Sequence, residues 1–543
     1  MKKSIITSAS LIALAAAAPA LGQSVSTLDQ TGSGNAATVG QTGSNTSDVD
    51  QDGENNVAKV SQTGAGNEST IDQDALAASA DVTQTGDGNI SNVTQTDGDT
   101  RGTTGMVPQD PETVVSQIGD NNRSDVNQLN ITGNFNLLAN VKQTGDNNVS
   151  TIDQNLGVAW QAGALRANVD QRGNSDSLIE QSVTEDRGLN IYAGVVQTDS
   201  TSTVLQTLAG DRAAGLRAEV DQRGFSDSTV TQTASGASSG DLFAKVTQDS
   251  GAISTIDQTA AGDGSITQDA FVTQDGASTA NITQTFDNDG SNTFLATVNQ
   301  TGAGNLANVT QRDQGFGIIG KADGRLTATV TQDGANNTTD LVQENKKAAA
   351  TITQNGTGNT VDAFQGTAGQ NLIVLQSGSG NISDSTQTGL NNSADVLQGG
   401  VGTTSTINQS GNRDLAFVDQ LVGSDGSTSL ITQTGAGGER SENSASVTQS
   451  GAGNGSEITQ DGFNSTALLT QSGAGNTSEI TQTGTVDGLG NTADVTQSGG
   501  DNESTILQNG SLNTAAVTQS SDNNLSTITQ SGTGGTATVT QGF

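Results

Sequence analysis

The side chains available for chemistry in this sequence are carboxylates, amides and hydroxyls, because it contains no Cys and no His. Their absence excludes cysteine nucleophiles, Ser-His-Asp triads and the usual zinc sites. Paired Asp and Glu residues could serve a glycosidase. However, aromatic residues make up only 2% of the chain, and no aromatic-lined cleft is indicated. The sequence therefore predicts a protein that is not an enzyme, with no catalytic residue, metal site or cofactor.

One group of acidic residues resembles the start of a calcium-binding loop. Asp48, Asp50 and Asp52 alternate before Gly53, an arrangement that lets carboxylates converge on a hard cation. An EF-hand loop needs a bidentate Glu at its twelfth position, where this sequence has Lys59. We therefore interpret these carboxylates as solvent-facing residues of a strand. The scattered Gly-x-Gly pairs are interpreted as turns, since none opens a helix or precedes a Lys in a phosphate-binding motif.

Gln residues recur through the chain at intervals of 11 residues. The interval holds from Gln51 to Gln95, from Gln332 to Gln420 and from Gln497 to Gln541. Such a period indicates a repeat protein rather than several globular domains. Amides stacked in columns can hydrogen-bond to their copies above and below. The residues predicted to form this structural ladder are Gln30, Gln41, Gln51, Gln62, Gln73, Gln84, Gln95, Asn35, Asn45, Asn56, Asn67, Asn89, Gln471, Gln482, Gln497, Gln508, Gln519, Gln530 and Gln541.

Each repeat predicts one β-strand followed by a turn. Between Gln62 and Gln73, the apolar and amide side chains share one parity, whereas Glu68, Thr70 and Asp72 share the other. Gly residues near the start of each repeat supply the φ freedom that the chain needs to reverse its direction. Two repeats make about 22 residues, enough for a rung of strand, turn, strand and turn. The predicted fold is therefore all-β: a flattened β-solenoid of 22-residue rungs with amyloid-like cross-β stacking.

The first residues predict a secretory signal peptide over residues 1–22. Lys2 and Lys3 precede an apolar stretch that ends in small residues, with cleavage expected after Ala20 or Gly22. We therefore expect the mature chain to be exported to the cell surface or the extracellular matrix, without a membrane span.

Residues 23–543 are expected to form the solenoid, with loop insertions near 97–113, 312–326 and 421–430. Between Gln154 and Gln258 the spacing of the Gln residues lengthens, which predicts enlarged rungs. Trp160 and Tyr192 lie in this part and could form either a partner patch or a local loop contact.

Composition and charge narrow the possible partners. The net charge is −37, so the basic footprint of a nucleic-acid-binding protein is absent. Hydrophobic residues are 31% of the chain, which is too few for several compact cores and predicts a thin fold.

The repeat Gln-x-Gly-x-Gly-Asn-x-Ala/Ser-x-Val/Ile-x-Gln, complete at Gln30–Gln41 and Gln471–Gln482, resembles the curlin repeat of curli fibres. The resemblance spans most of residues 23–543. It implies a bacterial functional amyloid that acts outside the cell in adhesion and biofilm. It also implies self-association into fibres, a dedicated outer-membrane secretion pore and a nucleator subunit as partners.

Two other functions remain open from the sequence. A capped, monomeric β-solenoid could act as an adhesin or ligand-binding module. Thr-Gln-Thr segments such as Thr83–Thr85 and Thr481–Thr483 would place two hydroxyls outward on a strand, as in an ice-binding surface. The residue 22 positions before Thr483 is Asp461, so a charge interrupts the row of Thr side chains.

Overall fold

A computed structural model gives the structure of most of the chain. The described residues are 23–97, 111–131, 136–157, 165–184, 189–209, 214–236, 240–262, 266–287, 292–313, 324–344, 347–435, 441–484 and 489–542. They contain 42 β-strands and no helix. The predicted signal peptide and Trp160 lie outside the described residues.

The chain divides into two compact units, residues 1–272 with 285–291 and residues 273–284 with 292–543. The first unit contains β1 (Val25–Ser33), β2 (Ala36–Thr42), β3 (Thr46–Glu54), β4 (Val57–Thr63), β5 (Glu68–Leu76), β6 (Ser79–Thr85), β7 (Ile90–Asp97), β8 (Glu112–Ile118), β9 (Arg123–Asn130), β10 (Leu137–Thr144), β11 (Val149–Leu156), β12 (Leu165–Arg172), β13 (Asp176–Val183), β14 (Leu189–Thr198), β15 (Thr201–Leu208), β16 (Ala214–Arg223), β17 (Asp227–Ala234), β18 (Leu242–Asp249) and β19 (Ile253–Ala260). Strands β20 (Ile266–Asp275) and β21 (Thr279–Phe286) each contain residues of both units.

The second unit contains β22 (Asn292–Thr301), β23 (Leu306–Asp313), β24 (Gly324–Ala335), β25 (Thr338–Glu344), β26 (Ala348–Thr357), β27 (Thr360–Gln365), β28 (Asn371–Gln376), β29 (Ile382–Gln387), β30 (Ser393–Gln398), β31 (Thr404–Gln409), β32 (Leu415–Gln420), β33 (Thr428–Thr434), β34 (Ser444–Gln449), β35 (Gly455–Asp461), β36 (Thr466–Gln471), β37 (Thr477–Gly484), β38 (Thr492–Gln497), β39 (Glu503–Ser511), β40 (Thr514–Gln519), β41 (Leu525–Thr533) and β42 (Thr536–Gln541).

Successive strands alternate between two parallel sheets within each unit. Odd-numbered strands form sheet A, in which β3 pairs with β5 and β39 with β41. Even-numbered strands form sheet B, in which β4 pairs with β6 and β40 with β42. Each unit is therefore a β-solenoid, and the predicted all-β solenoid fold is confirmed.

Side chains alternate between the interior and the surface along each strand. In β5, Ser69, Ile71 and Gln73 are buried, whereas Glu68 and Asp72 are exposed. This alternation follows from the two-residue period of a β-strand, which places all of the charged residues of this strand on one face.

The core between the sheets is thin and partly polar. Ile71 on sheet A and Val60 on sheet B are fully buried, and most of the other buried apolar residues are Val, Ile, Leu and Ala. Buried Gln, Asn and Ser side chains fill the remaining interior positions. The polar residues therefore need hydrogen bonds inside the protein, because a buried amide without a partner costs about 1 to 3 kcal/mol.

Glycine is required where the chain turns between the sheets. Gly64 has a φ of 121°, and a Cβ atom there would lie 1.9 Å from the carbonyl oxygen of Gly86 in the next rung. Two residues later the turn adopts a left-handed conformation, which Gly66 occupies in this rung and Asn55 and Asn121 occupy in others. The second position therefore accepts Asn, whereas the backbone at Gly64 leaves no space for a side chain.

The number of residues per rung varies with the length of the segments between strands. Gln73 and Gln95 stack at a separation of 22 residues. Between Gln154 and Gln258, stacked Gln residues of sheet A are 25 to 27 positions apart. Register is nevertheless preserved, because the extra residues lie between strands and the strands pair in matching positions.

The predicted loops have narrower bounds in the structure. The last residues predicted for the loops near 97–113, 312–326 and 421–430 are instead the first residues of β8, β24 and β33. Their side chains already alternate between buried and exposed, as with Thr113 and Ser429, which are buried. Residues 98–110 and 314–323 lie outside the described residues. None of the described segments forms a helix with the length and hydropathy that a membrane span requires.

Candidate assembly interface

Buried Gln side chains stack into one column on each sheet. On sheet A, Gln51 Nε2 donates to Gln73 Oε1 at 2.8 Å, and Gln73 Nε2 donates to Gln95 Oε1 at 2.8 Å. On sheet B, Gln62 Nε2 donates to Gln84 Oε1 at 2.8 Å. The donor is the lower-numbered Gln in each of these bonds, so the columns have a direction.

The second N–H of each column amide connects the two sheets. Gln73 Nε2 on sheet A donates to the carbonyl oxygen of Val57 on sheet B at 3.2 Å. Gln84 Nε2 on sheet B donates in the same way to the carbonyl oxygen of Glu68 on sheet A at 2.9 Å. The Gln residues therefore satisfy their own amides and also fasten the sheets across the core.

Asn residues form a second set of columns at the turns. The backbone N–H of Asn67 donates to Asn45 Oδ1 at 3.1 Å, and the backbone N–H of Asn89 donates to Asn67 Oδ1 at 3.0 Å. Asn67 Nδ2 donates to the carbonyl oxygen of Gly86 at 2.7 Å. Each Asn thus pairs backbone groups that the turn would otherwise leave unpaired.

The same arrangement holds near the C-terminus. On sheet B, Gln471 donates to Gln497 and Gln497 donates to Gln519, each at 2.9 Å. The remaining predicted ladder residues make equivalent column bonds, and these residues are Gln30, Gln41, Asn35, Asn56, Gln482, Gln508, Gln530 and Gln541.

The 11-residue period does not predict the column residues that follow longer segments between strands. Gln84 donates across 33 positions to Gln117, which in turn donates to Gln143. These residues share a signal with the regular repeats, namely a buried Val two positions before the Gln. Ser175 also takes a place in the Asn column, since its backbone N–H donates to Asn148 Oδ1 at 3.2 Å.

The strands at the two ends of the numbered series have one neighbour each. Among the pairings of described residues, β1 pairs with β3 alone and β42 pairs with β40 alone. Gln530 Nε2 donates to the carbonyl oxygen of Thr514 and Gln541 Nε2 to that of Leu525, at 3.0 and 2.9 Å. No further Gln follows these two residues in the described part of the columns. The amide of each therefore has one N–H without a Gln acceptor. The inner Gln residues use the equivalent N–H to bind the next amide in the column.

Acidic residues stack on the outer faces of the sheets. Asp29, Asp50 and Asp72 are exposed and lie side by side on β1, β3 and β5. The pKa of Asp50 is raised by partial desolvation and then by the charges of Asp29 and Asp72. In the described residues, no group of three or more acidic side chains is arranged to hold a metal ion. On the outer face of sheet A, Asp461 lies beside Thr483 and interrupts that row of Thr side chains.

Comparison with known proteins identifies the repeat. The family model described as the curlin associated repeat matches residues 44–74, 441–473, 457–484, 488–520 and 513–542. A search of curated proteins finds no match. The matched segments contain several of the stacked Gln residues described above, including Gln51, Gln482 and Gln519. These matches show that the chain contains curlin associated repeats.

Proposed function

We propose that this protein is a secreted structural subunit that assembles head to tail into extracellular, curli-like amyloid fibres, which act in cell adhesion and in the biofilm matrix. The observation that carries this proposal is the direction of the Gln columns. A donor N–H is left at Gln530 and Gln541, and the first column residues, Gln30 and Gln41, have an Oε1 that accepts from no earlier Gln among the described residues.

The end strands match in sequence as well as in polarity. Strand β41 reads LSTITQSGT and β1 reads VSTLDQTGS, so Ser, Thr, Gln and Gly occupy the same positions in both. Strands β42 and β2 share Ala, Thr, Val and Gln at equivalent positions, with Gln541 equivalent to Gln41. A copy whose β1 and β2 followed β41 and β42 would continue both columns without a change of register.

The charge distribution also favours contact between these ends. Asp29 is the one charged residue in β1, β2, β41 and β42, although the whole chain has a net charge of −37. Opposed like charges destabilise neighbouring strands. The ends therefore can approach one another, whereas the acidic outer faces oppose side-by-side association.

An interface between two different surfaces of one chain does not close on itself, so it produces an open filament. The signal peptide predicted over residues 1–22 supports export, and the resemblance to curli subunits implies an outer-membrane secretion pore and a nucleator subunit as partners. No catalytic step is needed, because the paired backbone and amide columns alone template the next copy.

The register of the proposed contact can be tested with charges. Position 529 of one copy would lie beside Asp29 of the next, whereas within the chain Thr529 lies beside Leu507. Thr529→Asp would therefore introduce repulsion only between copies. We expect it to slow seeded elongation of the purified mature chain by up to about fivefold, the equivalent of ~1 kcal/mol. Added Asp29→Asn should restore the rate.

Two controls accompany the test. Asp29→Asn alone measures the effect of removing that charge, and fibre diffraction checks for a spacing of about 4.8 Å between strands. Elongation of Thr529→Asp at the wild-type rate would contradict the proposed register. A mature chain that stays monomeric at high concentration would contradict fibre formation and favour a capped solenoid that acts as an adhesin or ligand-binding module.

A further inference from the structure

An aromatic and cationic row lies on the outer face of sheet B in the first unit. Arg166, Tyr192, Arg217 and Phe243 are aligned on β12, β14, β16 and β18. The Arg217 guanidinium carbon lies 4.8 Å from the centre of the Phe243 ring and 6.0 Å from that of Tyr192. Cation–π contacts of this kind hold the side chains in place. The row includes the chain's one Tyr, in a sequence with 2% aromatic residues.

A depression opens beside this row at Gly194. A Cβ atom on Gly194 would lie 2.7 Å from the hydroxyl oxygen of Tyr192, so the phenol hydroxyl lies over this glycine. The backbone of Gly194 is not in the left-handed region, so its conformation does not require glycine. The missing side chain instead makes room for the Tyr192 phenol. Both residues line a cavity with a volume of about 390 Å³, within the range of small-molecule sites, roughly 300 to 1,000 Å³.

The rim of the cavity is polar, and its charges are largely paired. Asn168 and Glu219 flank Gly194 on the neighbouring strands. Lys142 Nζ lies 3.3 Å from Asp170 Oδ2, and Arg217 forms an ion pair with Glu219. The rim therefore presents both hydrogen-bond donors and acceptors without the strong negative charge of the chain as a whole.

We propose that this depression binds a neutral saccharide. A sugar ring has an apolar face of C–H groups, which packs against an aromatic side chain such as Tyr192. Its hydroxyls both donate and accept, so they match a rim of carboxylate, amide and ammonium groups. An ionic ligand would have to displace the existing ion pairs, and a purely apolar ligand would leave the polar rim groups unpaired. The site thus adds a binding function on the outer face of sheet B in the first unit, formed by residues other than those of the strand edges proposed for assembly.

The proposal is tested by titrating the mature protein with cellobiose, maltose, lactose and diacetylchitobiose, with calorimetry or ligand-observed NMR as the readout. We expect at least one of these sugars to bind with a Kd of about 1 mM or tighter. Tyr192→Ala should weaken that binding at least about tenfold, because it removes the stacking surface.

Gly194→Thr should weaken binding to a similar extent, because its side chain would displace the Tyr192 phenol, while the β-branched residue suits the strand. Its matched control is Gly40→Thr, at an outward-facing position of the same sheet where an added Cβ would meet only the Val60 carbonyl oxygen at 4.0 Å. Gly40→Thr should bind as the wild type does, and circular dichroism should show that all three variants are folded.

Two results would overturn the proposal. One is the absence of binding by all four sugars up to about 10 mM. The other is binding that neither Tyr192→Ala nor Gly194→Thr weakens. Neither result depends on fibre growth, so the failure of this site would leave the assembly proposal untouched.

Discussion

Gln519 donates a hydrogen bond from its Nε2 to the Oε1 of Gln541 at 2.9 Å, across the last two strands of sheet B. The same Nε2 also donates to the carbonyl oxygen of Glu503 on sheet A at 3.0 Å. One amide therefore joins two rungs and two sheets near the end of the chain. This double use is the reason why inward Gln residues should matter more than the more numerous outward Thr and Asp residues.

The first prediction concerns replacement of Gln519 and Gln541 together by Leu. The change keeps similar bulk but leaves the carbonyl oxygens of Glu503 and Leu525 without their amide donors. The loss costs up to about 1 to 3 kcal/mol at the part-buried Glu503 carbonyl and less at the exposed Leu525 carbonyl. Seeded elongation should become slower. Thr518→Ser with Thr540→Ser is the matched control at the preceding, exposed positions, and it should have little effect. Equal elongation by both double mutants would contradict the role of the Gln column, and slowing by the Thr pair alone would invert the assigned faces.

The second prediction separates two glycines of one turn. Gly64→Ala should destabilise the protein strongly, because its Cβ would lie 1.9 Å from the Gly86 carbonyl oxygen. Gly66→Asn should be nearly neutral, since Asn55 and Asn121 occupy the equivalent left-handed position in other rungs. Thermal unfolding of the two variants measures the difference. A large loss of stability in Gly66→Asn would show that this rung has a requirement the others lack.

The regular part of the fold follows from the sequence because one period controls several properties at once. At Ile71 and Gln73, the alternation of side chains along the strand determines that both residues are buried. The repeat interval determines which residue of the next rung stacks on each of them. The longer rungs do not follow from the interval. Gln84 and Gln117 are 33 residues apart, yet they stack as closely as neighbours 22 apart, because strand pairing tolerates extra residues between strands.

The depression at Gly194 could not be inferred from the sequence. It depends on which residues of β12, β14 and β16 become neighbours, and those strands are separated by segments of irregular length. The sequence indicates only that Tyr192 belongs to a partner patch or to a local loop contact in the enlarged rungs. Its hydroxyl lies over a glycine two positions away on the same strand, and a side-chain direction of that kind is determined by packing rather than by periodicity.

The third prediction concerns a column of carboxylates on sheet A of the second unit. Asp340, Asp362 and Asp384 are exposed and lie side by side. The pKa values of Asp340 and Asp384 are raised by desolvation and then by the charge of Asp362. A raised pKa in the folded state means that folding favours the protonated form. The stability of the fold should therefore increase as the pH falls from neutral through the folded pKa values.

Asp362→Asn should accordingly stabilise the protein at pH 7. We expect a gain of a few tenths of a kcal/mol, with an upper limit of about 1 kcal/mol. The gain should shrink as the pH falls toward about 4, where the carboxyl groups of the unfolded chain also become protonated. Asp494→Asn is the control, because Asp494 lies between Leu468 and Ala516 rather than between carboxylates. Denaturant unfolding at several pH values provides the measurement. An equal gain from both substitutions would contradict repulsion within the column.

The last prediction concerns Asp414, a fully buried carboxylate at a position of the Asn column. The backbone N–H of Asp414 donates to Asn392 Oδ1 at 3.0 Å, and Asp414 Oδ1 accepts from Ser441 Oγ at 2.7 Å and from the backbone N–H of Asn443 at 2.9 Å. Its Oδ2 is buried and has no hydrogen-bond partner among the described residues. Burial raises the pKa of Asp414, and the hydrogen bonds from Ser441 and Asn443 offset part of that shift.

Because the folded-state pKa is raised, the ionised form of Asp414 reduces stability, and this loss grows as the pH rises through the folded pKa. Asp414→Asn removes the buried charge and should raise the midpoint of thermal unfolding at pH 7, with a benefit that declines as the pH falls through the raised folded-state pKa toward about 4. The reverse change, Asn392→Asp, should be destabilising at pH 7, because Asn392 Nδ2 donates to the carbonyl oxygen of Gly411 at 2.9 Å and a carboxylate cannot. If Asp414→Asn lowered the midpoint at pH 7, the carboxylate would be making a stabilising contact that the column does not provide.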